Sequence, residues 1–346
     1  MHSDSRSRRS FLRASAGLAS VAAVGSTAGC LDSVPFIGGG GELNAVPEDT
    51  GGLLYADIDA IRTDEGVRQV ANAYYEAMGE YDYYDGPESW EEALDQFDDE
   101  LELDPREAHE IVGFAGYGGE YGLVDDEYTA VVVWAEWDAD DVTDSIARNN
   151  DDLEFEEDEH EGQTVYEPSE DWASWVGVLG DGQYVVGQED AVEDAIDATK
   201  GEDDGVEQEV RDAYSSTRSA PFRFASLVPD PGEYDTVPET YGRGDQEVDL
   251  GVLEDVATVG GSIYDEGDTY GMAATLAADD SDTAENLADI LDGAIAVYQD
   301  RTYSETATEL ADDLDVSQDG SSVTITFEKT LEELTELIEE NVGPQN

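Results

Sequence analysis

The residue with the most chemistry to offer is Cys30, the single cysteine of a 346-residue chain. One thiol excludes a disulfide within the chain and a thiolate metal cluster. The residues before it give that thiol another use. Thr27-Ala28-Gly29-Cys30 resembles a lipobox, in which small residues precede a cysteine that is lipidated at sulfur and becomes the N-terminus after cleavage. Upstream, Ser7-Arg8-Arg9-Ser10-Phe11-Leu12 reads as a twin-arginine export signal, with Arg8, Arg9, Phe11 and Leu12 at its heart. The stretch Ala14 to Gly29 is too short and too weakly apolar to span a membrane as a stable helix. Residues 1–29 are therefore expected to be a signal peptide. Cys30 is expected to hold the mature chain on the outer face of the cytoplasmic membrane. Two lipid chains on one residue meet the two-anchor requirement for stable attachment.

Other reactive groups are few. Beyond the signal only His109 and His160 remain, the first expected on a short helix and the second in an acidic loop. Zinc sites usually need several His or Cys ligands, and no His-Glu-x-x-His occurs. No Gly-x-Ser-x-Gly marks a nucleophile. Glycines 113, 116, 118, 119 and 122 miss the spacing of a dinucleotide loop, because Tyr121 falls where the last glycine belongs, so they are expected in tight turns. The run Glu154 to Gly162 could bind Ca²⁺ or Mg²⁺, but its charges are continuous rather than alternating around a glycine, which points to a solvated loop. Neither a catalytic residue, nor a metal site, nor a cofactor is expected. The best recognition surface is aromatic: Tyr74, Tyr75, Tyr81, Tyr83, Tyr84 and Trp90 lie within 17 residues. Tyr74 and Trp90 are expected in the core. Tyr81, Tyr83 and Tyr84, beside Asp82, Asp85 and Gly86, form the candidate patch for stacking on a ligand or partner.

The charge constrains partners more firmly. There are 87 Asp plus Glu against 15 Lys plus Arg, a formal net charge of −72. Only two lysines occur, Lys200 and Lys329. No basic patch follows residue 13, which excludes nucleic acid as a partner. Such charge opposes the compact state in dilute buffer and is screened in molar salt, where the Debye length is about 3 Å. The 18 Tyr, 8 Phe and 5 Trp argue for a packed core rather than disorder. This composition resembles that of halophilic archaeal proteins. The archaeal form of the anchor implied by that resemblance is a thioether-linked diether lipid.

The elements that would position these groups come in two similar runs. Residues 30–50, with Gly38-Gly39-Gly40-Gly41, Pro35 and Pro47, read as a lipidated, flexible tether. A first unit, residues 51–200, opens with the strand Gly52 to Ile58 and helical patterns at Glu65–Gly79 and Pro87–Glu100. Strands at Ile111–Tyr117 and Tyr128–Trp137 follow, then a helix from Ala139, strands Thr164–Tyr166 and Trp175–Val186, and a helix Asp190–Lys200. After a linker, 201–220, the order recurs over 221–342. It opens at Phe222–Val228 and continues with Ala257–Tyr264, Asp268–Ala278, the helix Ser281–Gln299, the strand Val323–Phe327 and the helix Leu331–Asn341. Asp268 and Ser281 each follow their first-unit counterparts, Asp126 and Ala139, by 142 residues. Asp181-Gly182 and Asp319-Gly320 read as hairpin turns. The fold class is thus α+β: two tandem units, each a mostly antiparallel or mixed sheet with helices on one face. This order, with the stretch Val185 to Asp197, resembles an uncharacterised family of secreted haloarchaeal proteins with duplicated α/β repeats; that resemblance implies no activity.

The expected function is a membrane-anchored extracytoplasmic lipoprotein, a non-catalytic binding or scaffold module. Its expected partners are the membrane, the twin-arginine export machinery and a surface protein or ligand. Two alternatives stand beside it: an extracytoplasmic hydrolase using acidic residues, and a solute-binding component of a transporter.

Overall fold

The computed structural model describes residues 41–81, 84–117, 125–148, 153–180, 182–201, 205–228, 240–241, 248–249, 251–301 and 305–342. The strands are β1 (Thr50–Asp57), β2 (Ala108–Gly116), β3 (Asp125–Ala135), β4 (Phe155–His160), β5 (Gln163–Pro168), β6 (Trp175–Gly180), β7 (Gln183–Gly187) and β8 (Phe222–Leu227). They continue with β9 (Thr240–Tyr241), β10 (Val248–Asp249), β11 (Val256–Glu266), β12 (Thr269–Ala278), β13 (Leu314–Asp319) and β14 (Ser322–Thr330). The helices are α1 (Ile58–Thr63), α2 (Glu65–Gly79), α3 (Trp90–Leu101), α4 (Ala139–Arg148), α5 (Glu189–Lys200), α6 (Gln208–Ser216), α7 (Ser281–Arg301), α8 (Glu305–Asp312) and α9 (Leu331–Val342).

Twelve strands form one sheet in the order β13-β14-β12-β11-β8-β1-β2-β3-β7-β6-β5-β4. Every pairing in it is antiparallel. The central pair joins the start of the chain to its middle, since β1 pairs with β8 (Leu54 opposite Phe224). Outward from that pair the order is β2-β3-β7-β6 on one side and β11-β12-β14-β13 on the other. Tight turns close the hairpins: Gly182 and Gly320 hold φ of +70° and +60°, which glycine reaches without a Cβ clash.

The alternation of residues along each strand sorts two faces. One face carries Leu53, Tyr55, Val112, Val132 and Val185, all buried in the main core. Helices α5 and α6 cover it. Ala191, Val192, Ala195 and Ile196 make one buried stripe of α5, and Gly177 lets Val192 and Ile196 lie close on the sheet. The opposite face carries three smaller clusters. Val142 of α4 packs with Val133, Val176 and Tyr184. Ala284 and Leu287 of α7 pack with Ala278 and Val323. Ile61 of α1 and Val67 of α2 pack with Ala56 and Phe222. Asp64 caps α2 by accepting from the Val67 amide at 2.8 Å, and the same oxygen accepts from the Tyr270 hydroxyl of β12 at 3.2 Å.

The architecture is α+β with an antiparallel sheet, but helices cover both faces rather than one. The physical reason is the strand composition. Tyr55-Ala56 and Val132-Val133 are apolar at consecutive positions, so both faces need cover. Part of the segment expected as tether, residues 41–50, belongs to the fold. Leu43, Ala45 and Val46 are buried in the main core, and the Val206 amide donates to the Val46 carbonyl at 2.8 Å. Pro47 therefore sits in folded chain, and of residues 30–50 only 30–40 lie outside the described residues.

Candidate functional site

Cys30, Arg8, Arg9, Phe11, Leu12 and Tyr83 lie outside the described residues. Tyr84 folds back on its own turn: its ring occupies the space beside Gly86 that a Cβ would need, and its hydroxyl donates to the Pro87 carbonyl at 3.0 Å. The Tyr81 amide donates to Met78 at the end of α2. Trp90 is buried as the sequence implied, but Tyr74 is 43% exposed and meets Tyr75 edge-on with ring centres 5.6 Å apart. His109 lies on β2, not on a helix, with Nδ1 2.8 Å from Asp59 and Nε2 3.7 Å from Glu136. His160 ends β4, with Nε2 2.8 Å from Asp197 and Nδ1 3.5 Å from Glu193 on α5. The acidic run is therefore an edge strand rather than a loop. Its carboxylates alternate between two sides and guard an open sheet edge by charge.

A polar cluster sits where the described residues begin. Glu42 accepts from Arg223 Nη2 at 2.8 Å, and both side chains are largely buried. The Arg223 guanidinium lies 4.2 Å from the ring centre of Tyr214 and 5.0 Å from that of Tyr55. Burial pushes both phenols well above their ordinary range. On β2, Glu110 stands opposite Asp57. Burial, then the negative charge of Asp57, Glu42 and Asp59, pushes its carboxyl up to about 7. A carboxyl raised above its ordinary value binds its proton more tightly in the fold, so its stabilising effect is complete below about pH 4.5 and is lost as pH rises through about 7. Glu110→Gln should therefore melt at a temperature that gains on the parent's as pH is raised from about 5 to about 8, as read by thermal unfolding in molar salt. Glu110 lines neither of two surface cavities, one beside α7 at Val252, Asp255 and Ile290 and one on the central strands.

The larger of these is a shallow trough of about 500 Å³ on the sheet face opposite α5 and α6. Its floor is a row of paired residues on five adjacent strands. Val186 stands opposite Val131, Val131 opposite Gly113, Gly113 opposite Leu54, and Leu54 opposite Phe224. Beside it runs a neutral polar row containing Gln188, Thr129 and Ser226. Leu54 is 37% and Val131 39% exposed, and Met272 on the same face is 43% exposed. Gly261 is needed here, since a Cβ would fall 2.4 Å from Phe224 Cζ, so only glycine lets that ring lie down on β11. Among the described residues, none that lines the trough is charged, in a chain of which 29% is Asp, Glu, Lys or Arg. That contrast decides the chemistry: the trough suits an uncharged, apolar ligand.

The sequence reading did not reach this trough. Glycines inside the strands, at 113 and 261, were its available signal.

The sequence matches no protein-family model and no curated protein. Solved structures of similar fold include crystal form III of TP0453, with a TM-score of 0.44 and 8% identity over 86% of this chain and 98% of that one. Crystal form IV of TP0453 aligns with a TM-score of 0.45 and 10% identity over 86% of this chain and 96% of that one.

Proposed function

We propose that the protein is a lipid-anchored binding module on the outer face of the cytoplasmic membrane of a halophile, exported by the twin-arginine route and non-catalytic, whose trough takes an uncharged apolar ligand. The observation that carries this reading is the uncharged lining of the trough within so acidic a chain. The order of the strands about the β1·β8 pair supports a duplicated unit, which would place the trough on the seam between copies. The small residues before Cys30 and the Arg8-Arg9 pair support the address.

Phenylnaphthylamine, a neutral dye that brightens in apolar surroundings, tests the binding. Titrated into the folded protein in molar salt, it should show saturable fluorescence. A linear, unsaturable rise would defeat the reading. The address has its own test. Cys30→Ser should move the protein from the membrane pellet to the soluble fraction, and continued tight attachment would remove the lipid anchor from the account.

A further inference from the structure

We propose that the occupant of the trough is a single hydrocarbon chain of an uncharged lipid or long-chain alcohol, lying across the strands. This rests on the reading of the trough as a binding site. The first argument is dimension. The apolar floor crosses five neighbouring strands, from Val186 through Gly113 to Phe224. Four strand spacings of about 4.8 Å make it about 19 Å long. One leaflet of a bilayer's hydrocarbon core is about 15 Å deep, so a membrane lipid's chain, even at the length it spans there, covers most of the row. The second argument is the absence of charge. A protein partner would ordinarily meet a polar rim carrying charges that set its register. Among the described residues the trough offers only hydroxyls and an amide at its border, from Thr129, Ser174, Ser226 and Gln188, which suit a hydroxyl or ester headgroup. The third is supply. However residues 31–41 are arranged, they span at most about 40 Å, so a chain anchored at Cys30 keeps the trough within reach of a bilayer.

Gly113 sits in the middle of the row, and a Cβ there would meet Leu54 Cγ at 3.4 Å, which is ordinary contact. A larger side chain at 113 should therefore fold but divide the floor in two.

The experiment displaces bound phenylnaphthylamine from the full chain in molar salt with straight-chain alcohols of increasing length, and with a compact alicyclic alcohol of similar mass. Displacement should strengthen about threefold to fourfold per added methylene and then level off once the chain spans the floor. In Gly113→Leu the levelling should come at a shorter chain, while the dye still binds. Equal displacement by the compact alcohol, or a levelling point unmoved in Gly113→Leu, would overturn the chain-shaped occupant and leave the trough as a site of another shape. Displacement by an apolar helical peptide, but by no alcohol, would replace the lipid with a protein partner. Failure of the dye to bind at all would overturn both this inference and the binding reading beneath it.

Discussion

Diluted from molar salt to about 0.1 M, the protein should lose its helical circular dichroism. The reason is the spacing of its charges. On β4, Glu156, Glu157, Asp158 and Glu159 are consecutive and exposed, and Glu167 stands opposite Glu156 on β5. Neighbouring strands are about 4.8 Å apart. The Debye length is about 10 Å at 0.1 M and about 3 Å at 1 M, so only brine screens carboxylates at that separation. Compensating cations are scarce. Arg106 alone is shared among Asp95, Glu91 and Asp104, at 2.7, 3.3 and 3.4 Å. Exposed pairs of this kind contribute roughly 0–1 kcal/mol each, far too little against a net charge of −72. Spectra recorded at stepwise salt concentrations, with the protein returned to brine at the end, check the expectation. Full structure in dilute buffer would contradict it.

Replacing Val131 by Glu should abolish binding in the trough while leaving the fold intact. Val131 is central in the apolar floor, between Gly113 and Val186, and 39% exposed. A carboxylate there stays hydrated in the empty protein, so folding loses little. An apolar ligand lying over it would have to strip that hydration, at a cost of several kcal/mol. Affinity for the neutral dye should fall by at least about a hundredfold. Tyr74→Glu, an exposed aromatic outside the trough lining, should bind as the parent does. Unchanged binding in Val131→Glu, with the circular dichroism of the parent, would place the ligand elsewhere.

What the sequence revealed and what it hid divide along physical lines. Local periodicity exposed β1, β2, β3, β12 and α7, because each buries one or both sides in a regular rhythm. It hid β4, since Phe155-Glu156-Glu157-Asp158-Glu159-His160 has no alternation, and an edge strand defended by charge needs none. It placed His109 on a helix because Asp104-Pro105 does start one; that turn is only Pro105–Glu107, and β2 begins at Ala108. It extended the tether to residue 50 on the strength of glycine and proline, although Leu43 and Val46 are core residues. The trough lay furthest from view. Leu54, Gly113, Val131 and Phe224 become neighbours only through the pairing of β8 with β1, of β1 with β2 and of β2 with β3, and no local pattern encodes such long-range register. The sequence reading expected helices on one face; they lie on both, and the centre of the second face is open.

If the sheet face between α4 and α7 is a working surface and not an accident of packing, a photoreactive ligand should find it. A neutral long-chain alcohol carrying a terminal diazirine, irradiated with the folded protein in molar salt and followed by peptide mass spectrometry, should mark peptides containing Leu54, Gly113, Val131 and Phe224. It should mark them less in Val131→Glu. Label concentrated instead on the α5 and α6 face, or spread evenly along the chain, would show that this face binds nothing.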